Sequence, residues 1–395
     1  MHRVVSLWSR RLAFALIGAA IWLPLLHSFF TIGDEDRARI AKDLVASQVA
    51  VWQAPSRDDA ALRATNPEWD FMGRTYVVLA LANHALTLAP GAERDGLLAT
   101  IDRVIDSTLA EEAEHGGSYF MLEYAKARPF VDRDARSIFL DGEVLLMLEA
   151  RESVSRRESY AILAKERANH IESAMRRSPT LSAESYPDEC WTFCNTTALA
   201  GLAVLDHVHG SDHGAVGREW VSRAKERLVD ARTGLLVSSF TRAGQTLDGP
   251  EGSSIWMSAS NLLFVDEAFA KDQYRRARRE LGKTTLGFGW AREWPSGVPE
   301  RPDVDSGPIV PFLGASAGAS GLAVLGAAAF GDTEYRDALF ASLELAAFPD
   351  DRAKRHGGRY LASNRVGDAV VLYALETGPL LRAVKASSHP KEAGR

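Results

Sequence analysis

Cysteine is scarce: the chain of 395 residues holds two, Cys190 and Cys194. That excludes a disulfide-stapled scaffold and any zinc site built from four cysteines, so stability has to come from a core. No basic stripe with interleaved aromatics is present, and the net charge is -6, which argues against nucleic acid as a partner. With 46% hydrophobic and 25% charged residues, the composition is that of an ordinary globular protein.

What is present begins with an apolar run from Leu12 to Phe30, preceded by Arg3, Arg10 and Arg11 and followed by Asp34, Glu35 and Asp36. The charge asymmetry predicts a transmembrane anchor over residues 1–33 with the N-terminus inside and the rest held outside the cytoplasm, in a periplasmic or equivalent compartment. A cleaved signal peptide is the alternative, although the flank His27-Ser28-Phe29-Phe30 lacks small residues at cleavage spacing.

From Asp34 the periodicity is helical, with twelve segments expected at about 34–53, 69–89, 94–112, 135–151, 157–177, 190–208, 214–230, 253–265, 266–281, 315–330, 332–346 and 365–376. They alternate in character. The odd-numbered ones carry a charged face, as in Arg37 to Lys42 or Asp272 to Glu280; the even-numbered ones, such as Val77 to Ala82, Thr196 to Leu205 and Ala315 to Ala329, are apolar nearly all round and rich in small residues. Six outer helices alternating with six inner ones predict an all-α fold, an (α/α)6 toroid over residues 34–380, followed by a polar tail at 381–395. An open solenoid would show a fixed repeat length, and these hairpins vary. Short rim β-hairpins are expected at Gly117–Tyr124, Gly234–Leu247 and His356–Ala362, and a long site-covering loop at Thr284–Pro311.

The chemically unusual residues gather at the starts of the inner helices: Trp69-Asp70, Asp141-Gly-Glu143, Asp188 to Asn195, Gly249 to Trp256, Asp303 to Gly307 and Asn364 to Asp368. In a toroid these starts share one end, so the clusters would meet in one funnel. Asp, Ser and Asn before a helix are ordinary N-caps, and capping alone accounts for residues such as Asp188 and Ser253. It does not account for the aromatics beside the clusters, nor for Glu143 and Asp368 inside apolar turns, because a buried carboxyl needs a partner or a purpose.

Cys190 and Cys194, four apart, would share one helix face, too far apart for a relaxed disulfide. The nearest histidines, His207 and His209, lie more than three turns on, so no metal site is expected. Buried packing, a strained disulfide and acid–base chemistry stay open for the two thiols.

Four motifs, in order, carry a resemblance: Glu68-Trp-Asp-Phe-Met-Gly-Arg-Thr-Tyr76, Tyr186-Pro-Asp-Glu-Cys-Trp-Thr-Phe-Cys-Asn195, Gly249-Pro-Glu-Gly-Ser-Ser-Ile-Trp256 and Asp303-Val-Asp-Ser-Gly-Pro308. Together the chain resembles the linalool dehydratase/isomerase domain family across residues 34 to 380. The resemblance implies an (α/α)6 barrel and cofactor-independent interconversion of geraniol, linalool and myrcene. It implies a site with an Asp and a Tyr six residues apart, matched by Asp70 and Tyr76, a His, a further Tyr, and two cysteines, matched by Cys190 and Cys194 at closer spacing. The segment Ser137 to Met147, where the family's histidine is expected, carries Asp141 and Glu143 instead.

On that chemistry Asp70, Tyr76, Cys190, Cys194, Asp141 and Glu143 form the acid–base set. Phe71, Trp191 and Trp256 supply an apolar wall, and Asn195, Glu251 and Asp305 contact a small-molecule substrate. A carbohydrate-active toroid is the alternative, with two of Glu143, Glu251 and Asp305 as acid and base. A non-catalytic domain binding a glycan or lipid is the third. A homo-oligomer is compatible with each.

Overall fold

The computed structural model describes residues 2–53, 58–298, 307, 309–350 and 359–388. The chain opens with α1 (His2–Trp22), which runs into a 3-10 helix at Leu23–Phe29. Within this stretch Leu7–Phe29 is long and apolar enough to cross a membrane, and none of it is buried against the rest of the protein.

The body then follows as α2 (Asp34–Gln53), α3 (Asp58–Thr65), α4 (Pro67–Thr87), α5 (Ala92–His115), α6 (Ile138–Val154), α7 (Glu158–Arg176), β1 (Cys190–Trp191), α8 (Thr192–His209), α9 (Ala215–Arg227), β2 (Ser239–Phe240), β3 (Thr246–Asp248), α10 (Gly252–Leu262), α11 (Glu267–Glu280), β4 (Gly282–Thr285), β5 (Phe288–Ala291), β6 (Ile309–Val310), β7 (Ala315–Ser316), α12 (Ala317–Phe330), α13 (Thr333–Ala346), α14 (Arg365–Glu376) and α15 (Pro379–Ser388). Among the described residues all twelve expected segments are helices.

Their packing closes a ring. Helix α4 packs on α6, α6 on α8, α8 on α10, α10 on α12, α12 on α14, and α14 returns to α4. Outside them α5, α7, α9, α11 and α13 cover the seams, and α2 covers α14 and α5. The protein is therefore mostly helical with an (α/α)6 toroid fold. Small residues let the inner helices approach: a Cβ at Gly142 would lie 3.0 Å from the Ala198 backbone nitrogen, and one at Gly201 would lie 3.1 Å from Leu145.

Four local expectations change. Gly117–Phe120 and Glu123–Lys126 are 3-10 turns rather than a hairpin. The stretch read as a loop from Thr284 contains the end of β4 and all of β5, paired as a regular antiparallel hairpin, because Leu286-Gly287 makes a tight turn with both residues at positive φ. Residues 381–388, read as a polar tail, belong to α15, which packs on α4 and α8 and is pinned where Asn83 Oδ1 accepts a hydrogen bond from the Leu380 backbone N–H at 3.0 Å. Asp188 caps no helix; at φ 56° it accepts a hydrogen bond from the Arg242 backbone N–H. The hairpin around Gly244 exists as β2–β3, and β1 joins it as a three-stranded sheet. Residues 356–358 lie outside the described residues.

Candidate active site

Because each inner helix is followed by an outer one running back, all six inner helices begin at the same end of the barrel. Asn66, with Pro67 behind it, caps α4; Ser316 caps α12 and Asn364 caps α14. Asn66 and Ser316 cap from outside the predicted clusters, whereas Asn364 is itself a cluster residue spent on capping α14.

Four side chains come together inside the ring from four different helices: Tyr76 on α4, Glu143 on α6, Cys194 on α8 and Tyr373 on α14. All are buried. Desolvation pushes the Glu143 carboxyl up to about 7, opposed only by the neighbouring Thr75 hydroxyl. Burial also holds the Tyr76 phenol well above its ordinary value, helped by Glu143, Tyr373 and Cys194. It raises Tyr373 to about 12, with Thr377 opposing and Glu143 adding. The Cys194 thiol is raised by burial, eased by a hydrogen bond with Ser185, and raised again by Glu68 and Glu143. The rings of Tyr76 and Tyr373 stack at 6.3 Å. Near neutral pH the site therefore holds one carboxyl poised between its two states and three groups kept neutral.

Glu68 extends this set toward the rim. Its carboxylate accepts a hydrogen bond from the Tyr186 hydroxyl, which in turn accepts the Leu122 backbone N–H at 3.0 Å and stacks on Tyr124 at 4.5 Å. Reading the sequence does not single out Glu68, Ser185, Tyr186 or Tyr373. Glu68 and Tyr186 open two of the quoted motifs, a usable signal. Tyr373 has none, because only ring closure brings α14 beside α4.

The other predicted residues fall elsewhere. Asp70 is paired with Arg74, one turn on, at 3.0 Å; Arg74 also reaches Glu111 on α5, and Arg365 lies 3.9 Å from Asp70. This network lies between α4 and α5, so Asp70 faces Arg74 while Tyr76 faces Glu143 and Tyr373. Six residues advance a helix by a direction about 120° off the starting face. Asp141 likewise turns outward, held by Arg167 of α7 at 2.7 Å and Arg136 at 2.5 Å. Phe71 packs against Phe120 and Phe139 rather than lining the centre. Trp256 is wedged against Tyr274 and Tyr335 of the outer helices α11 and α13.

Cys190 and Cys194 are free and do not share a helix face, because Cys190 sits in β1, paired with Phe240, before α8 begins. Its thiol donates to the Ser182 carbonyl at 3.7 Å, and burial raises it. Asn195 is fully engaged, bracketing the Ala183 backbone through both amide atoms and reaching the Trp191 carbonyl. Glu251 is the first residue before α10, its backbone N–H donating to Ser238 Oγ at 2.9 Å. Trp191 is half-buried at the start of α8, with its Nε1 buried and unbonded. Asp305 lies outside the described residues.

The fold is shared with carbohydrate-active enzymes of low identity. The unsaturated glucuronyl hydrolase of Bacillus sp. GL1, responsible for glycosaminoglycan degradation, superposes with a TM-score of 0.53 at 14% identity, covering 84% of this chain and 94% of its own. The GH76A alpha-1,6-mannanase of Salegentibacter sp. HEL1_6 gives a TM-score of 0.53 at 9% identity, covering 87% of this chain and 99% of its own. Sequence comparison is more specific. The linalool dehydratase/isomerase family profile matches residues 146–366, which include Tyr186, Cys190 and Cys194 but not Tyr76, Glu143 or Tyr373. Since that match spans more than half of the chain, the protein belongs to the linalool dehydratase/isomerase family.

Proposed function

We propose that the barrel is a cofactor-independent acid–base enzyme, a hydro-lyase or isomerase acting on an allylic, terpene-like alcohol, with Glu143 as its proton-transferring group. One observation carries the reading. Asp70 and Asp141 are clamped by arginines, whereas buried Glu143 is surrounded by neutral donors and is poised at about 7. A carboxyl at that value can both give and take a proton at neutral pH.

The step balances within the chain's own groups. Protonated Glu143 donates to the substrate hydroxyl, the carbon–oxygen bond breaks with its electron pair leaving on water, and positive charge spreads over the allylic carbons. Carboxylate Glu143 then removes a proton from an adjacent carbon, giving the diene and restoring the acid. For the isomer, the released water instead adds to the other end of the allylic cation and gives its proton to carboxylate Glu143, which again restores the acid. Tyr76, Tyr373 and Cys194, each held neutral, orient the hydroxyl as hydrogen-bond partners, and the stacked tyrosine faces favour a cation-like transition state.

A carbohydrate substrate is the second reading. It is favoured by unbonded buried polar atoms near the starts of three inner helices, Trp191 Nε1, Ser254 Oγ and Asp368 Oδ1, which suit a polyhydroxylated ligand. Glu68 and Glu143 would then be the two carboxyls. The apolar N-terminal helix and its charge flanks support anchoring, with the barrel outside the cytoplasm.

The discriminating experiment incubates the full chain with monoterpenols and, separately, with an oligosaccharide panel, using Glu143→Gln as the control. Diene or isomer formed by the wild type and lost in the variant supports the first reading. Sugar products with no terpene turnover overturn it.

A further inference from the structure

We infer that the β4–β5 turn and the β6–β7 hairpin form a second membrane contact, an apolar patch at the foot of the N-terminal helix that lies on the lipid surface. This rests on the anchoring role proposed for that helix.

His27 lies inside the last turn of the apolar Leu7–Phe29 span. Whatever packs on His27 must sit at the level where the span leaves the bilayer. The β4–β5 turn does so: the His27 ring meets Phe288 edge-on at 6.3 Å, Phe30 meets the same ring at 6.2 Å, and any side chain at Gly287 would collide with His27. Glycine is required there twice over, since its φ is +81°.

From Phe288 the patch continues along the sheet. Two residues on, about 7 Å along a strand, Trp290 donates from Nε1 to the Leu313 carbonyl at 3.3 Å, and Arg292 bridges to Ala315 at the start of β7. The loop joining β6 to β7 is thereby tied to the same short piece of sheet that receives the helix foot.

Its exposed side chains are the wrong ones for water. Leu286, Val310 and Leu313 are each about half exposed, and Phe312 is 105% exposed, presented outward by a residue held at φ 67°. Apolar side chains exposed at two turns of one tied piece of sheet, joined through the Trp290–Leu313 contact, mark an interaction surface. Trp290 and Lys283, paired across β4–β5, supply the amphipathic ring and the cation that suit a headgroup layer. A bilayer is the occupant because the same chain carries a membrane-length helix whose foot is part of the patch. Since the β6–β7 hairpin leads directly into α12, the contact also turns one edge of the barrel's open end toward lipid, where an apolar alcohol is concentrated.

The test uses the full chain reconstituted in phosphatidylcholine vesicles, with a nitroxide attached to Phe312→Cys, Leu313→Cys or, as an exposed control on α7, Ile162→Cys. Labelled wild type controls for Cys190 and Cys194. Collision with oxygen and with a water-soluble nickel chelate is measured at each site. The expected result is an oxygen-to-nickel ratio severalfold higher at 312 and 313 than at 162. Equal nickel access at all three sites, in a chain that floats with the vesicles, overturns the patch while leaving the anchor intact. A chain that does not float overturns both.

Discussion

Arg74 lies one helical turn beyond Asp70 and closes on its buried carboxylate at 3.0 Å, while Glu111 engages the same guanidinium at 3.2 Å. Asp70 is thus one member of an ion network rather than a free acid, and Asp70→Asn is expected to act on stability. Removing one charge of a buried pair costs about 3–5 kcal/mol, while turnover of the folded variant stays close to wild type. Thermal melts read beside specific activity check this. A normal melt with abolished turnover would restore Asp70 to the chemistry.

Glu143→Gln is expected to do the reverse. The amide keeps the shape and removes a group that burial holds at about 7, so turnover falls by about 10²–10⁴-fold with the melting temperature equal or higher. If the rate-limiting step needs the protonated acid, the wild-type rate declines as pH rises through about 7. A profile flat from pH 5 to 9 would contradict the assignment.

The two thiols should separate. Cys194 approaches Glu143 and Glu68, and Cys194→Ala is expected to reduce turnover about tenfold, the worth of one hydrogen bond. Cys190 is buried within β1, and Cys190→Ala should cost about 1–2 kcal/mol of stability with little change in rate. Because burial holds both thiols protonated, neither should react with a thiol reagent at neutral pH until the protein unfolds. Rapid titration of the native protein would refute that.

At the other end of the barrel, Glu149 on α6 is fully buried, 3.1 Å from His209, with Glu152, Arg156 and Asp206 nearby. Burial and the Glu152 charge raise its carboxyl from an ordinary 4.5 to about 8. Between those values the folded protein binds more protons than the unfolded chain, so stability declines as pH rises from about 4.5 to about 8. Glu149→Gln should flatten the dependence of melting temperature on pH across that window. An unchanged slope in the variant would remove Glu149 as its source.

Periodicity alone carried the helix count and the alternation of inner with outer helices, because a helix buried on all sides has to be apolar all round and one facing water cannot be. The order of short connections then leaves an antiparallel ring as the compact solution, and the clustering of unusual residues at inner-helix starts was legible for the same reason. The sequence by itself could not decide which way each side chain turns within a first turn. Asp141 and Glu143 look equivalent in a string of letters, yet two residues of helix send one outward to Arg167 and the other inward to Tyr76. Likewise Cys190 became a strand residue because Phe240, fifty positions away, was there to pair with it. Tyr373 joined the site because α14 closes onto α4. These are long-range choices, set by which neighbour excludes water from a given side chain, and only the closed ring supplies that neighbour.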